Sequence, residues 1–165
     1  MLNDTFEIYS PRKFFEEFVL RAYQEYLVEP LDQYRIKMAI IQADTMAERV
    51  WDTFKDGDRS KVKNSGSARA YREFLSKQCP DFQLIWDVHD GHKHVHLSRT
   101  NRLVSSASQT GIVRTGGAFQ ADAFDESFQV GKEEIVVVLD DGTQRSLSEA
   151  LANVIAMWER VLETL

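Results

Sequence analysis

The sequence predicts an α+β fold dominated by helix: a bundle of four to five helices, with a small antiparallel β insertion at about residues 103–147 before the C-terminal helix. Apolar residues recur at helical spacing through most of the chain up to the histidines, and again at its end. Downstream of Arg99 that period disappears. The run Ile135 to Leu139 then meets Asp140-Asp141-Gly142, a strand entering a hairpin turn. With 165 residues, 43% of them hydrophobic, the chain can bury one core, so a single domain over 1–165 is expected.

Ser10 caps a first helix that has Pro11 in its opening turn and runs to about Leu27. Phe14, Phe15, Phe18, Val19, Ala22, Tyr23, Tyr26 and Leu27 give it an apolar side. After Pro30, the longest helix gathers Ile36, Ala39, Ile40, Ala43, Met46, Ala47, Val50, Trp51 and Phe54 on one face. Asp56 to Gly66 reads as a polar, basic loop. Ser67 caps a short helix with Tyr71, Phe74 and Leu75, which stops at Cys79-Pro80. Asp81 caps the helix that leads into the histidines. Thr143 to Leu147 returns as a second strand, and Ser148 caps a last helix carrying Leu151, Val154, Ile155, Trp158, Val161 and Leu162.

Composition narrows the function classes. The opening MLNDTFEIYSPRK has no apolar signal core, and no aliphatic run approaches the length of a membrane span, so a cytoplasmic protein that does not enter the membrane is expected. Cys79 stands alone, which removes an intrachain disulfide and a cysteine-rich zinc site. The net charge of −6 is unevenly spread. Residues 55–77 hold Lys55, Arg59, Lys61, Lys63, Arg69, Arg72 and Lys77 against Asp56, Asp58 and Glu73. Residues 91–121 hold Lys93, Arg99, Arg102 and Arg114 with no acid. A nucleic acid or phosphate ligand is a candidate partner for these two stretches; a second copy of the chain is another.

All four histidines, His89, His92, His94 and His96, fall in HDGHKHVH, followed by Arg99 and Arg102. Imidazole titrates near neutral pH, ligates metals and moves protons, so this is the one candidate site. Two continuations are open. If the helix persists, His89, His92 and His96 share the bundle-facing side with Phe82, Ile85 and Val88, while His94 joins Gln83, Asp87 and Asp90 outside. If Asp90-Gly91 ends it, His92, His94 and His96 align on one face of a strand, an arrangement suited to a transition metal such as zinc. No cofactor is otherwise required. The carboxylates that could complete a metal site are sparse: on the longest helix only Asp44 borders the apolar face, and no Glu-x-x-His pair occurs.

Two function classes follow. One is a helical binding or interaction protein in which the histidine face lines a cleft or a subunit contact. The other is a metal-assisted hydrolase or metal-free nuclease, with His89, His92 and His96 as ligands or acid and base groups and Lys93, Arg99 and Arg102 holding phosphate.

DVHDGHKHVHLSR together with VVVLDDGTQRSLSEALANVIAMWERVL resembles a group of uncharacterised bacterial proteins with an HKH motif and a terminal hairpin plus helix, over roughly residues 67–165. The resemblance implies a bacterial cytoplasmic protein and no particular activity. A looser similarity is to the helical HEPN domains, whose ribonuclease members carry an arginine four to six residues before a histidine. Here the nearest arginine before His89 is Arg72, so that motif is not present.

Overall fold

A computed structural model describes residues 10–94, 100–114 and 133–165. They form five helices and a three-stranded antiparallel sheet, the mostly helical α+β arrangement the sequence predicts. Helix α1 comprises an α-helical turn Pro11–Phe14, a π-helical segment Phe15–Leu20 and an α-helical segment Arg21–Val28. Ser10 caps it by accepting from the Lys13 amide at 3.3 Å. Helix α2, Gln33–Phe54, is capped by Asp32, which accepts from the Arg35 amide at 2.8 Å. Its Ile36, Ala39, Ile40, Ala43, Met46, Ala47 and Val50 are buried, and it packs against all four other helices. The basic loop that follows contains a 3₁₀ turn, Arg59–Val62, because Val62 is fully buried and draws the chain back to the core.

Helix α3, Ala68–Gln78, starts at the Ser67 cap, and α4, Pro80–Lys93, follows at once. Cys79 and not Asp81 occupies the N-cap position of α4, with Pro80 in the first turn, where its missing N–H is not needed. Asp81 is instead buried, where it accepts from Arg145 and from Asn153 Nδ2 at 2.8 Å, tying α4 to the sheet and the last helix. Burial pushes the Cys79 thiol up, which keeps it protonated and unreactive.

The sheet has the order β1-β2-β3, with β1 Thr110–Arg114, β2 Glu133–Val138 and β3 Gln144–Ser146. Ile112 lies opposite Ile135, and Val136 opposite Ser146. The expected hairpin is β2–β3, closed at Gly142, whose φ of +84° suits a residue without a side chain. The sequence reading missed β1. Three consecutive β2 residues, Ile135, Val136 and Val137, are buried because the strand is central. Helix α5, Leu147–Glu163, begins two residues earlier than expected: Ser146, not Ser148, is its cap and accepts from the Glu149 amide. That start buries Leu147 at the first position.

Among the described residues one apolar cluster joins all five helices to β2. Trp158 of α5 is its keystone. The ring is fully buried, meets Phe82 of α4 edge-on at 5.8 Å, and donates from Nε1 to the Ala43 carbonyl of α2 at 2.8 Å. Trp158→Ala is expected to lower the unfolding free energy by about 3–5 kcal/mol, the range for an emptied aromatic core position, as measured by urea titration.

Candidate functional site

The histidine segment continues as helix through Lys93. His94 is already extended, at φ −128° and ψ 133°. The helical continuation therefore holds past Asp90-Gly91 as far as Lys93 and ends there, and since His92 lies in the helix a strand bearing both His92 and His94 does not form. His96 and Arg99 lie outside the described residues. Gly91 does not end the helix. An added Cβ there would stand 3.4 Å from the Ala107 amide nitrogen, so the glycine lets a 3₁₀ turn, Ala107–Gln109, lie close against α4.

His89 faces the bundle interior and is 4% exposed. Its Nδ1–H donates to Asp44 Oδ2 at 2.7 Å. Asp44 is 1% exposed and also accepts from Arg72 of α3, at 2.9 Å from Nε to Oδ1 and 3.3 Å from Nη2 to Oδ2. Arg72 reaches Glu48 with Nη1 at 3.1 Å, and its guanidinium lies 5.7 Å from the centre of the Trp86 ring. Burial alone would push the Asp44 carboxyl up. The His89 hydrogen bond and the charge and hydrogen bonds of Arg72 outweigh it and hold the carboxyl below its usual range. An ionised carboxylate only accepts, so the hydrogen-bonded His89 nitrogen carries the proton. The sequence reading marked Asp44 as the acid bordering the α2 face but placed Arg72 in a basic surface. The signal for Arg72 was its position beside Tyr71 and Leu75, on the side of α3 that becomes buried.

Asp87, expected on the outer face of α4, is fully buried. The chain after residue 100 covers that face, and the Leu103 amide donates to Asp87 Oδ2 at 2.5 Å. Arg102 approaches Asp140, with Nε 3.9 Å from Oδ2, and Lys93 and His94 are exposed. The basic stretch 55–77 is largely engaged within the fold. Arg72 is buried, Lys55 pairs with Asp52, Arg69 pairs with Glu73, and Lys61 donates to the Thr164 carbonyl.

His92, one turn beyond His89, has a different setting. It lines a groove of about 600 Å³ between the first turns of α2 and the sheet. Ile36 and Ile40 of α2, Ile112 of β1, Ile135 of β2 and Leu147 of α5 supply apolar wall; Gln33, Tyr34, Lys37 and Thr110 are polar, and no acid among the described residues lines it. Among the described residues two buried side-chain polar atoms lack a hydrogen-bond partner, His92 Nδ1 and Thr110 Oγ1. Both belong to this groove. Burial, the Lys37 charge and His89 hold His92 below the usual histidine pKa, so its ring is neutral at pH 7 and offers one donor and one acceptor. Sequence reasoning missed the groove partners, because Lys37 and Thr110 are brought to His92 only by the packing of α2, α4 and β1. Among the described residues no three His, Cys, Asp or Glu side chains converge as a metal-ligand set. No helix among them is long and apolar enough to cross a membrane.

Because the Asp44 carboxyl is held below its unfolded value, its contribution to stability is present above the ordinary carboxylate range and is lost as pH falls through the folded-state pKa. Asp44→Asn leaves Arg72 buried without its full counter-charge and is expected to cost roughly 3–5 kcal/mol in chemical denaturation at pH 7. It should also flatten the fall in stability as pH drops below the ordinary carboxylate range, measured by denaturant titration at stepped pH.

Compared with known proteins, the chain matches no family model, no curated protein and no solved structure, so the site is read from its own geometry.

Proposed function

We propose that the protein is a binding protein whose ligand occupies the His92 groove. The observation that carries this reading is that both unpartnered buried polar atoms, on His92 and Thr110, belong to residues lining one largely apolar groove. A buried polar atom without a partner costs on the order of 1–3 kcal/mol, and two such atoms on residues that line one groove favour a ligand whose binding turns those side chains to make the missing hydrogen bonds. The groove volume of about 600 Å³ falls in the range of small-molecule sites, and an apolar wall with a few polar groups is their usual chemistry.

The enzyme alternative draws less support. A general acid or base has to reach a substrate, whereas His89 is buried against Asp44, and His92 is the one described histidine in the groove. The nucleic-acid reading loses weight for a similar reason, since several bases of residues 55–77 are engaged by acids and carbonyls of the chain itself. A homodimer through the histidine face stays compatible with exposed Tyr34 and Ile112 at the groove.

The test is a small-molecule screen read by isoleucine methyl resonances. Hits are expected to shift Ile36, Ile40, Ile112 and Ile135 together, and His92→Ala should weaken them by about two- to tenfold, the worth of one neutral hydrogen bond. Ile112→Asp should weaken them strongly: Ile112 is paired with Ile135 on the groove side of the sheet and is half-exposed, so a carboxylate there breaks the apolar wall without entering the core. Hits that spare those four isoleucines, or that bind Ile112→Asp unchanged, would sink this reading.

A further inference from the structure

Resting on that reading, we propose that the ligand is a small amphipathic carboxylate, its apolar body against Ile36, Ile40 and Ile135 and its carboxylate toward Lys37, His92 and Thr110. The groove is electrostatically one-sided. Among the described residues Lys37 is its only ionised lining side chain and forms no ion pair. A cation beside an apolar wall, without an acid to neutralise it, favours an anion and disfavours an ammonium group.

The remaining polar groups fit the same head. A carboxylate accepts only, and Lys37, the Thr110 hydroxyl, the N–H of a neutral His92 and the Gln33 amide can all donate. A neutral alcohol would leave the Lys37 charge without a partner, and an alkylammonium would add a second cation beside it. The isoleucines and Leu147 provide continuous apolar wall across α2, β1, β2 and α5, which rewards a hydrocarbon body over a bare anion such as acetate. Lys37 and His92 line the same groove, and the nearby ammonium, after burial, helps to hold the imidazole neutral.

The experiment titrates the full chain with octanoate, 1-octanol, octylammonium and acetate, each below its aggregation concentration, by calorimetry and isoleucine methyl shifts. Octanoate is expected to bind in the groove about tenfold or more tighter than 1-octanol, the advantage of a charge-assisted hydrogen bond. Octylammonium and acetate should bind more weakly still. Lys37→Gln should bring octanoate down to the level of 1-octanol and leave 1-octanol unchanged, a pattern that loss of folding cannot produce. Ile112→Asp, which interrupts the apolar wall, should weaken both. Equal affinity for octanoate and 1-octanol, or preference for octylammonium, would overturn the carboxylate assignment while leaving groove binding in place. No shift at Ile36, Ile40, Ile112 and Ile135 with any of the four would overturn it too, and the screen would then decide groove binding separately. A concentration-dependent dimer that Ile112→Asp dissociates and octanoate does not would assign the groove to a second copy of the chain.

Discussion

The buried carboxylate of Asp44 is the constraint on which the helical part of this structure turns. It sits on α2, accepts from Arg72 of α3 and His89 of α4, and so joins three helices through two oxygens. A lone carboxylate at this depth would neutralise itself; here three hydrogen bonds and a guanidinium keep it ionised. Such an arrangement is directional in a way that apolar contact is not. Leucine against isoleucine tolerates sliding, whereas Arg72 and His89 reach Asp44 only at one rotation and one height of their helices. Trp158 repeats the device at lower strength by donating to the Ala43 carbonyl, one residue before Asp44. Two polar contacts at adjacent α2 residues thus set where α3, α4 and α5 stand around it.

That setting determines what each histidine can do. His89 is held inward with its Nδ1 proton engaged, and three residues later on the same side of α4 His92 emerges at the edge of the bundle beside the sheet. Helical spacing makes the two neighbours, while the depth of the bundle at each turn makes them chemically unlike. Gly91 lies between them and allows the Ala107 turn to lie against the helix, which brings β1 and Thr110 within range of the groove. Asp87 fastens the other side of α4 by accepting from the Leu103 amide. The segment leading into the sheet is therefore held to α4 on two sides, and the groove wall is assembled from elements distant in sequence.

The electrostatic balance follows the same geometry. The bases of residues 55–77 look like a patch in the sequence, yet in three dimensions an acid or a carbonyl stands beside most of them. Lys37 belongs to no conspicuous run of charge, and it is the lysine that meets the His92 groove. Local potential is set by which charges lack a neighbour of opposite sign, and a linear count of bases does not report that.

By itself the sequence determined the helical bundle, the β2–β3 hairpin, the Ser10 and Ser67 caps and the inward direction of His89, because each depends on local periodicity or on residues within a few positions of one another. It located Asp44 on the apolar border of α2 for the same reason. The third strand was beyond it: Thr110–Arg114 is short, contains a glycine, and becomes a strand by pairing with β2 across a gap in the chain. So were the roles of Arg72, which the sequence counts in a basic run, and of Asp87, which helical spacing assigns to the outer face; packing buries both. Only the tertiary structure decided that His89 is tied to Asp44 while His92 lines a groove with Lys37 and Thr110. A side chain's partner and its desolvation are properties of the space between elements, and no window of neighbouring residues contains them.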